Sequence, residues 1–388
     1  MRPKPAARVP DHMIALILFI IFAGAVVYAY VGYPLVLAVL SRGKKPPVPA
    51  ADLSDGALPT VTLLVAAHNE EAIIAEKMEN SLRLDYPPGK LRVVVVSDGS
   101  IDRTDEIVRR FEPHGVTLFR VEPRRGKSFA RNAAAAAATG DVLLMSDANA
   151  IYEPDALRKL MRHFADPSVG VVCGELRLMR EHGGENLYWK YEKWIKRLED
   201  RFHSIIGANG SIYAIRRSLY VPLPSEVDDD FLAPLLARLD DHRVRYEDEA
   251  VSIELDIKTK NVAREFAAKR RTVLRGIQSL HYLSKTAAPF RDPALAFELV
   301  SHKILKWLTP FLLIGLLATT AALLPHPLFI AALAVQILFY GCAIAGLATG
   351  NRAFYIPAFF VVTNAAAFTA AITFFAGARS TTWEKQRS

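Results

Sequence analysis

The sequence predicts an α/β domain with a mostly parallel sheet and helices on both faces, joined to about four transmembrane helices. Three observations carry this. Mean hydropathy is +0.17, unusual for a soluble chain of 388 residues. Four long stretches without Lys, Arg, Asp or Glu lie towards the two ends of the chain. Between them, short apolar runs alternate with helical segments, the pattern of a parallel sheet with helical crossovers.

Composition narrows the class. With 48 Lys and Arg, 40 Asp and Glu and 23% charged residues, the chain is neither disordered nor collagen-like. Two cysteines, Cys173 and Cys342, make no disulfide framework, and no spacing suits zinc. The net charge of +8 suits an anionic bilayer or phosphorylated ligands. No nucleic-acid partner is expected, because the basic residues are dispersed among acids.

Residues 1–45 read as an N-terminal anchor. The uncharged run Met13–Leu40 exceeds the roughly 20 residues needed to cross a hydrocarbon core and fits a secretory signal poorly. Arg42, Lys44 and Lys45 follow, where they can meet membrane lipid headgroups. Residues 300–377 read as three more spans, near Leu308–Leu324, Leu328–Leu347 and Ala353–Gly377, with Pro325 and Pro327 dividing the first two. A basic tail, 378–388, closes the chain. Charge bias gives no consistent orientation. Arg2, Lys4 and Arg8 balance the basic residues after the first span, and the tail's preference for the cytoplasm conflicts with three preceding spans.

Residues 46–290 hold the α/β domain. After a Pro- and Ala-rich linker, Val61–Ala67 is a buried parallel strand, followed by a helix from Glu70 to Leu82. A second strand ends at Ser97-Asp98-Gly99, with a helix over Thr104–Phe111. A third strand (VTLFRVE) precedes the Ala-rich helix Lys127–Ala138, and a fourth, Asp141–Asp147, ends in an acid. Ligands bind such sheets at the carboxyl ends of the strands. There the sequence gathers His68, Asn69 and Glu70, then Asp98 and Gly99, then Asp147 and Asn149. Loop residues and helix caps account for one such polar end; three aligned ends indicate one pocket. No G-x-G-x-x-G follows the first strand and no phosphate-loop G-x-x-x-x-G-K-[ST] occurs, which argues against dinucleotide dehydrogenases and P-loop nucleotidases.

The residue types point to phosphate chemistry. Gly99 lets backbone approach a ligand, and the Asp98 carboxylate can accept from a base imide N–H. Arg124-Arg125-Gly126-Lys127 opens a helix, where cations and free N–H groups favour phosphate. Asp147 stands where Mg²⁺ or Mn²⁺ can bridge a diphosphate. His203–Arg217, with Asn209 and Gly210 in a glycine-rich turn before a strand, suits the floor of an acceptor site. Asp228, Asp229 and Asp230 open the next helix. N-capping needs one or two acids, and crowding three raises the pKa of one, as a general base requires. Lys260–Ser284 is a basic amphipathic helix suited to the headgroup layer, from which one arginine, Arg275, can reach a leaving diphosphate.

In sum these motifs resemble the membrane-bound family-2 glycosyltransferases of the GT-A fold. The resemblance rests on V-A-A-H-N-E-E at Val65–Glu71, S-D-G-S-x-D-x-T at Ser97–Thr104 and R-G-K at Arg125–Lys127 with Asn132 after it. S-D-A-N at Ser146–Asn149, G-A-N-G-S at Gly207–Ser211 and D-D-F at Asp229–Phe231 follow in the same order. It implies a UDP- or GDP-linked sugar donor, with Glu70 and Asp98 at the nucleotide base and Lys127 near the donor. It implies a divalent metal on Asp147 and a cytoplasmic catalytic domain on a bacterial-type inner membrane. The paired-acid element places the base at its second acid, Asp230, beside apolar Phe231, with Asp229 orienting; Asp228 is left to cap the helix.

Two departures matter. The D-x-D element reads Asp147-Ala148-Asn149, so its second metal ligand is neutral. The Q-x-x-R-W element of processive synthases is replaced by Lys269–Gly276 (KRRTVLRG), without the tryptophan that would stack on an acceptor sugar. The expected reaction is inverting transfer of one sugar to a lipid-linked or polysaccharide acceptor. A processive polysaccharide synthase and a non-catalytic membrane scaffold with a degenerate nucleotide pocket are the competing readings.

Overall fold

The computed structural model describes residues 10–44, 52–178, 184–255 and 262–377. The extreme N-terminal arginines and lysine, Lys45, Lys260 and the tail 378–388 lie outside them. The chain opens with α1 (Asp11–Val27), a π-helical turn at Tyr28–Gly32 and α2 (Tyr33–Leu40). Then come β1 (Val61–Ala67), α3 (Ile74–Leu82), β2 (Leu91–Asp98), α4 (Thr104–Arg109), β3 (Val116–Val121), α5 (Lys127–Ala137) and β4 (Val142–Asp147). These elements match the predicted alternation, except that α3 starts later than Glu70.

Beyond β4 lie β5 (Ala150–Tyr152), α6 (Ala156–Met161), β6 (Val169–Leu178), α7 (Gly184–Phe202), β7 (Ile212–Arg216), α8 (Asp229–Leu239) and β8 (Arg243–Glu254). One sheet runs in the order β3-β2-β1-β4-β7-β6-β8-β5. The strands read from the sequence, β1 to β4, are all parallel, whereas β7 runs antiparallel to β4 and β6, and β5 to β8. The whole sheet is therefore mixed. A short apolar run looks alike in either direction, so strand sense was not readable from composition.

Each sheet face has its own core. One is filled from α3 and α6 (Ile74, Met78, Leu157, Leu160), the other from α5 and α8 (Ala130, Ala134, Ala233, Ala237). The opposite side of α8 enters a third core with Leu283, Leu295 and Leu299, next to the C-terminal apolar helices. There Leu232 and Leu235 are fully buried. Each such leucine contributes on the order of 2 kcal/mol. The helix that starts with the three acids is thus clamped between the sheet and the C-terminal helices.

The C-terminal part holds α9 (Val262–Thr286), α10 (Pro293–Glu298), a π turn at Leu299–Ile304, α11 (Leu305–Ala322), α12 (Pro327–Thr349) and α13 (Tyr355–Phe375). Among the described residues, four helical stretches are long and apolar enough to cross a membrane: Asp11–Leu40, Pro293–Ala322, Pro327–Thr349 and Arg352–Phe375. The second begins well before the uncharged run and carries Glu298, Lys303 and Lys306 below it. The two π turns meet through Tyr28 and Ser301, whose hydroxyls are 2.9 Å apart. The basic helix α9 does not lie free. It packs along α13, where Arg270 donates to Thr373 Oγ1 at 3.0 Å, and buries Leu274, Arg275 and Gly276. Arg275 faces inward, not into a headgroup layer.

Candidate active site

The carboxyl ends of β1, β2 and β4 lie side by side, with Ala67 paired to Ser97 and Ala66 to Asp147. Around them the predicted donor residues form a hydrogen-bonded rim. Asp98 is buried, and its two carboxylate oxygens accept from the backbone N–H groups of Arg125 and Gly126, each at 2.8 Å. His68 Nδ1 lies 2.7 Å from the Asp98 carbonyl oxygen, and burial pulls its pKa down. Asn69, with φ of +53°, accepts from Ile101 N–H at 2.9 Å, while buried Glu70 donates its N–H to Thr104 Oγ1 at 2.7 Å. Gly99 has φ of +61°, and a Cβ there would meet Arg124 atoms at 3.0 Å. The rim therefore braces the Arg124–Lys127 loop against β2.

That loop delivers Lys127, whose Nζ is 2.6 Å from Asp147 Oδ1. One turn on, Arg131 is fully buried and donates to the same oxygen at 3.1 Å, to the Gly210 carbonyl at 3.2 Å and to Asp229 Oδ2 at 2.5 Å. Burial pulls the guanidinium pKa down, but Asp229 and Asp147 outweigh it and hold it above its usual range. Arg131 was not singled out in the sequence; the signal was an arginine four residues after Lys127 in an alanine-rich helix. Tyr213 was missed too, and its hydroxyl donates to Asp229 at 2.8 Å. A third missed group is Lys77, buried under β5. Its Nζ donates to the Ala150 carbonyl at 2.5 Å and sits 4.0 Å from the Tyr152 ring centroid. Burial lowers its pKa to about 7 against the pull of Asp147.

The three acids differ sharply. Asp228 occupies the N-cap position of α8, but its side chain makes no cap bond and pairs with Arg275. The expected capping role is corrected: a guanidinium on α9 outcompetes the helix N–H groups for that carboxylate. Arg275 also donates to the Val227 carbonyl, which ties it to the α8 start instead of leaving it free for a diphosphate. Asp229 is buried; burial raises its pKa, but Arg131, Lys127 and the Tyr213 hydroxyl pull it well below the usual range. Asp230 is partly exposed, and its carboxylate has no hydrogen-bond partner among the described residues. Burial, reinforced by the charges of Asp228 and Asp229, pushes its pKa up to about 7.

The turn before β7 fits around Asp230. A Cβ on Gly210 would lie 2.5 Å from Asp230 Oδ2, so only glycine lets the carboxylate settle there. Asn209 serves as a brace: its Nδ2 donates to the Gly174 carbonyl at 2.6 Å and its Oδ1 accepts from Lys196 at 2.5 Å. Asn132 is similarly engaged. Its Nδ2 donates to the Leu223 carbonyl at 2.7 Å and its Oδ1 accepts from Tyr220 at 2.8 Å, so it secures the 220–223 segment. The tryptophan missing from Lys269–Gly276 has a counterpart from another element. Trp307 of α11 packs so tightly on Gly276 that a Cβ there would meet its ring at 2.7 Å. It also meets Phe231 edge to face at 6.2 Å.

The donor set at Asp147 suits a hard divalent cation. Both basic groups take Oδ1, and Oδ2 has no partner among the described residues. Asn149 turns its Nδ2 to Glu254 Oε1 at 2.9 Å. Among the described residues no group of three or more His, Cys, Asp or Glu could hold a metal alone. Mg²⁺ and Mn²⁺ bind through one or two carboxylates and complete their shell with phosphate oxygens and water, so this set fits.

Residues 62–220 match the family described as Glycosyl transferase family 2. The chain carries a family 2 glycosyltransferase domain. A β-monoglucosyldiacylglycerol synthase of Synechocystis is 35% identical to it over 131 residues, 33% of this chain and 27% of that protein. A poly-β-1,6-N-acetyl-D-glucosamine synthase of Staphylococcus aureus is 31% identical over 140 residues, 36% of this chain and 32% of that one. These alignments span about a third of the curated relatives' own length. The mannosyltransferase PcManGT of Pyrobaculum calidifontis, solved with GDP-Man and Mn²⁺, superposes over 94% of this chain and 98% of its own. Its TM-score is 0.73 at 25% identity. The glycosyltransferase domain thus has the expected GT-A architecture, and the likeness extends through the long apolar helices.

Proposed function

We propose that this protein is a membrane-bound inverting glycosyltransferase. It moves one sugar from a nucleotide-diphosphate donor to a hydroxyl of a lipid-linked or glycan acceptor, with Asp230 as general base. The observation that carries this reading is the contrast between Asp229, paired with Arg131, and Asp230, whose carboxylate has no hydrogen-bond partner among the described residues and whose pKa is pushed up to about 7. A base must be able to take a proton at working pH, and Asp230 can. It removes the acceptor hydroxyl proton as oxygen attacks the anomeric carbon from the face opposite the nucleotide; one displacement inverts the configuration. Asp229 keeps Arg131 and Tyr213 in place behind it. Lys127 and Arg131 supply fixed positive charge beside Asp147, where negative charge builds on the departing diphosphate. A bound Mg²⁺ or Mn²⁺, held by Asp147 with neutral ligands such as Asn149 and water, would supply Lewis-acid stabilisation of that diphosphate.

The donor is a UDP- or GDP-sugar, and PcManGT's complex with GDP-Man supports a nucleotide-sugar in this pocket. Residues 46–290 form the catalytic unit and 1–45 and 300–377 the membrane part. The catalytic domain faces the cytoplasm at a bacterial-type inner membrane. A processive synthase is the second reading, favoured by Trp307, which restores an aromatic surface beside the acids. The test is initial rate against donor concentration with Asp228→Asn, Asp229→Asn and Asp230→Asn, with product length read in parallel. Asp230→Asn is expected to lower kcat by roughly 10² or more with donor affinity nearly unchanged. Near-normal kcat for it overturns the assignment, and a ladder of long polymer from the purified protein overturns single-sugar transfer.

A further inference from the structure

The four long apolar stretches differ in what they pack against. α13 begins on the side of the catalytic domain. Phe359, in its second turn, meets Tyr188 of α7 at 5.1 Å between ring centroids, and α7 is tied to that domain by Arg197 and Asp248 at 2.7 Å. Thr373 lies fourteen residues further on, about 21 Å along a helix axis. An upright helix would carry it most of the way through a hydrocarbon core of about 30 Å. It stays close to the domain instead. Its Oγ1 accepts from Arg270 of α9 at 3.0 Å, and the next residue, Phe374, meets His281 of α9 at 5.4 Å. Lys269, the neighbour of Arg270, has its Nζ 5.3 Å from the Phe359 ring centroid. Two consecutive cations of α9 thus reach towards opposite ends of α13, so the two helices lie against each other along their length.

α9 itself stays with the catalytic acids. Arg275 pairs with Asp228, and Ser279 Oγ accepts from the Asp228 N–H at 2.9 Å. Arg264, Glu265, Lys269, Arg270, Arg271 and Arg275 are spread along it, a charge load that a helix does not carry into hydrocarbon. A helix lying along α9 therefore does not cross the core either. α11 gives the depth. Its Phe311, about one turn past Trp307, meets Phe368 at 5.2 Å. After about three and a half turns of its own, α13 has reached only the first turn of the charge-free part of α11. We propose that α13 is an interfacial helix at the boundary between headgroups and acyl chains, with α9 between it and the catalytic domain. Three stretches then cross the bilayer: Asp11–Leu40, Pro293–Ala322 and Pro327–Thr349. Two crossings after the catalytic domain return the chain to that domain's own side. The basic tail 378–388 leaves there, and the conflict between its charges and the number of spans disappears.

The test is labelling of single cysteines in the full chain, in membrane vesicles of known orientation, with a membrane-impermeant maleimide. The background is Cys342→Ala, since Cys173 is buried. Arg83→Cys marks the catalytic side, and His326→Cys marks the turn between α11 and α12. Phe375→Cys, at a position 83% exposed in the last turn of α13, and Ser388→Cys report where the chain ends. Both are expected to react from the same face as Arg83→Cys and to lose labelling when that face is blocked first, while His326→Cys keeps its own. Reaction of Ser388→Cys from the His326 face overturns the proposal. Reaction of His326→Cys from the Arg83 face does so too, because α11 and α12 would then not cross. Which face is cytoplasmic rests on the proposed localisation and is read separately. Alkaline phosphatase, which needs disulfides that form outside the cytoplasm, is expected to be silent when fused after Ser388. An active fusion, with Ser388→Cys and Arg83→Cys still labelled from one face, refutes the cytoplasmic catalytic domain and leaves the three crossings standing.

Discussion

On the donor side of the sheet, acids and bases hold one another. Asp98 grips two backbone N–H groups, Asp147 takes Lys127 and Arg131, and Asp229 takes Arg131 and Tyr213. On the acceptor side, where α8 meets the long apolar helices, Asp230 lacks a hydrogen-bond partner among the described residues. The first arrangement pre-organises charge where a diphosphate leaves, so little reorientation is needed during reaction. The second keeps one carboxylate ready to change its protonation state. Arg131 joins the two, because it touches both Asp147 and the Gly210 carbonyl beneath Asp230.

Removing that link should give the largest effect. Arg131→Met leaves Asp229 buried beside Asp147 without its main cation. Breaking a buried pair by losing one partner costs roughly 3–5 kcal/mol. A fall in thermal midpoint of many degrees with transfer abolished is expected, and Arg131→Lys should recover only part of it. A stable, active Arg131→Met would mean that the two sides do not depend on each other.

The next prediction concerns pH and separates Asp230 from its neighbour. The raised value near 7 means that kcat/KM should climb as pH rises through about 7 and then level off, since the base works when deprotonated. Stability should move the other way. A carboxyl whose folded pKa exceeds its unfolded one binds more protons when folded, so stability falls as pH rises from about 4 to about 7. Asp230→Asn should flatten that slope and raise the thermal midpoint at pH 8. Asp229→Asn should lower it, because Asp229 is shifted downward and stabilises the charged state. Equal slopes in both variants would erase the distinction between the two acids.

A smaller effect tests the fit around the base. Gly210→Ala places a methyl 2.5 Å from Asp230 Oδ2 and must displace the carboxylate or the turn. Overpacking of this kind costs about 1–3 kcal/mol. Roughly tenfold lower kcat with nearly unchanged donor KM is expected in initial-rate measurements. If donor KM rises instead, the turn belongs to the donor side.

How much of this was legible beforehand follows the same division. The donor side was readable, because strand ends are short-range features: Asp98, Lys127 and Asp147 stand at the ends of elements that periodicity and punctuation reveal. The pairing of Lys127 with Asp147 at 2.6 Å depends on α5 crossing back from β3 to β4 over β2 and β1. The acceptor side was less so. Arg131 hid in a run of alanines, and Tyr213 and Trp307 arrive from elements far apart in sequence. No local spacing encodes that α11 leans on Gly276, or that Arg275 turns inward to take Asp228 from its cap. Asn132 shows the converse: a residue at a motif position whose amide is committed to Tyr220 and Leu223.

The smallest expected effect concerns Asn149, at the edge of the paired side. A carboxylate there would add an anionic ligand next to Asp147, but it would also face Glu254 across the 2.9 Å now spanned by a hydrogen bond. With metal chelated, the repulsion stands alone, and like charges in contact cost a few tenths to about 1 kcal/mol on a strand surface. With Mn²⁺ present, the new oxygen can join the cation and offset that repulsion. Asn149→Asp should therefore melt slightly below wild type in EDTA and gain more than wild type on adding Mn²⁺. Asn149→Ala, which loses only the hydrogen bond, should show no such extra gain. The comparison is read by thermal midpoint, independently of turnover. If Mn²⁺ leaves Asn149→Asp as low as in EDTA, this position faces Glu254 only, and the metal relies on Asp147 and the diphosphate.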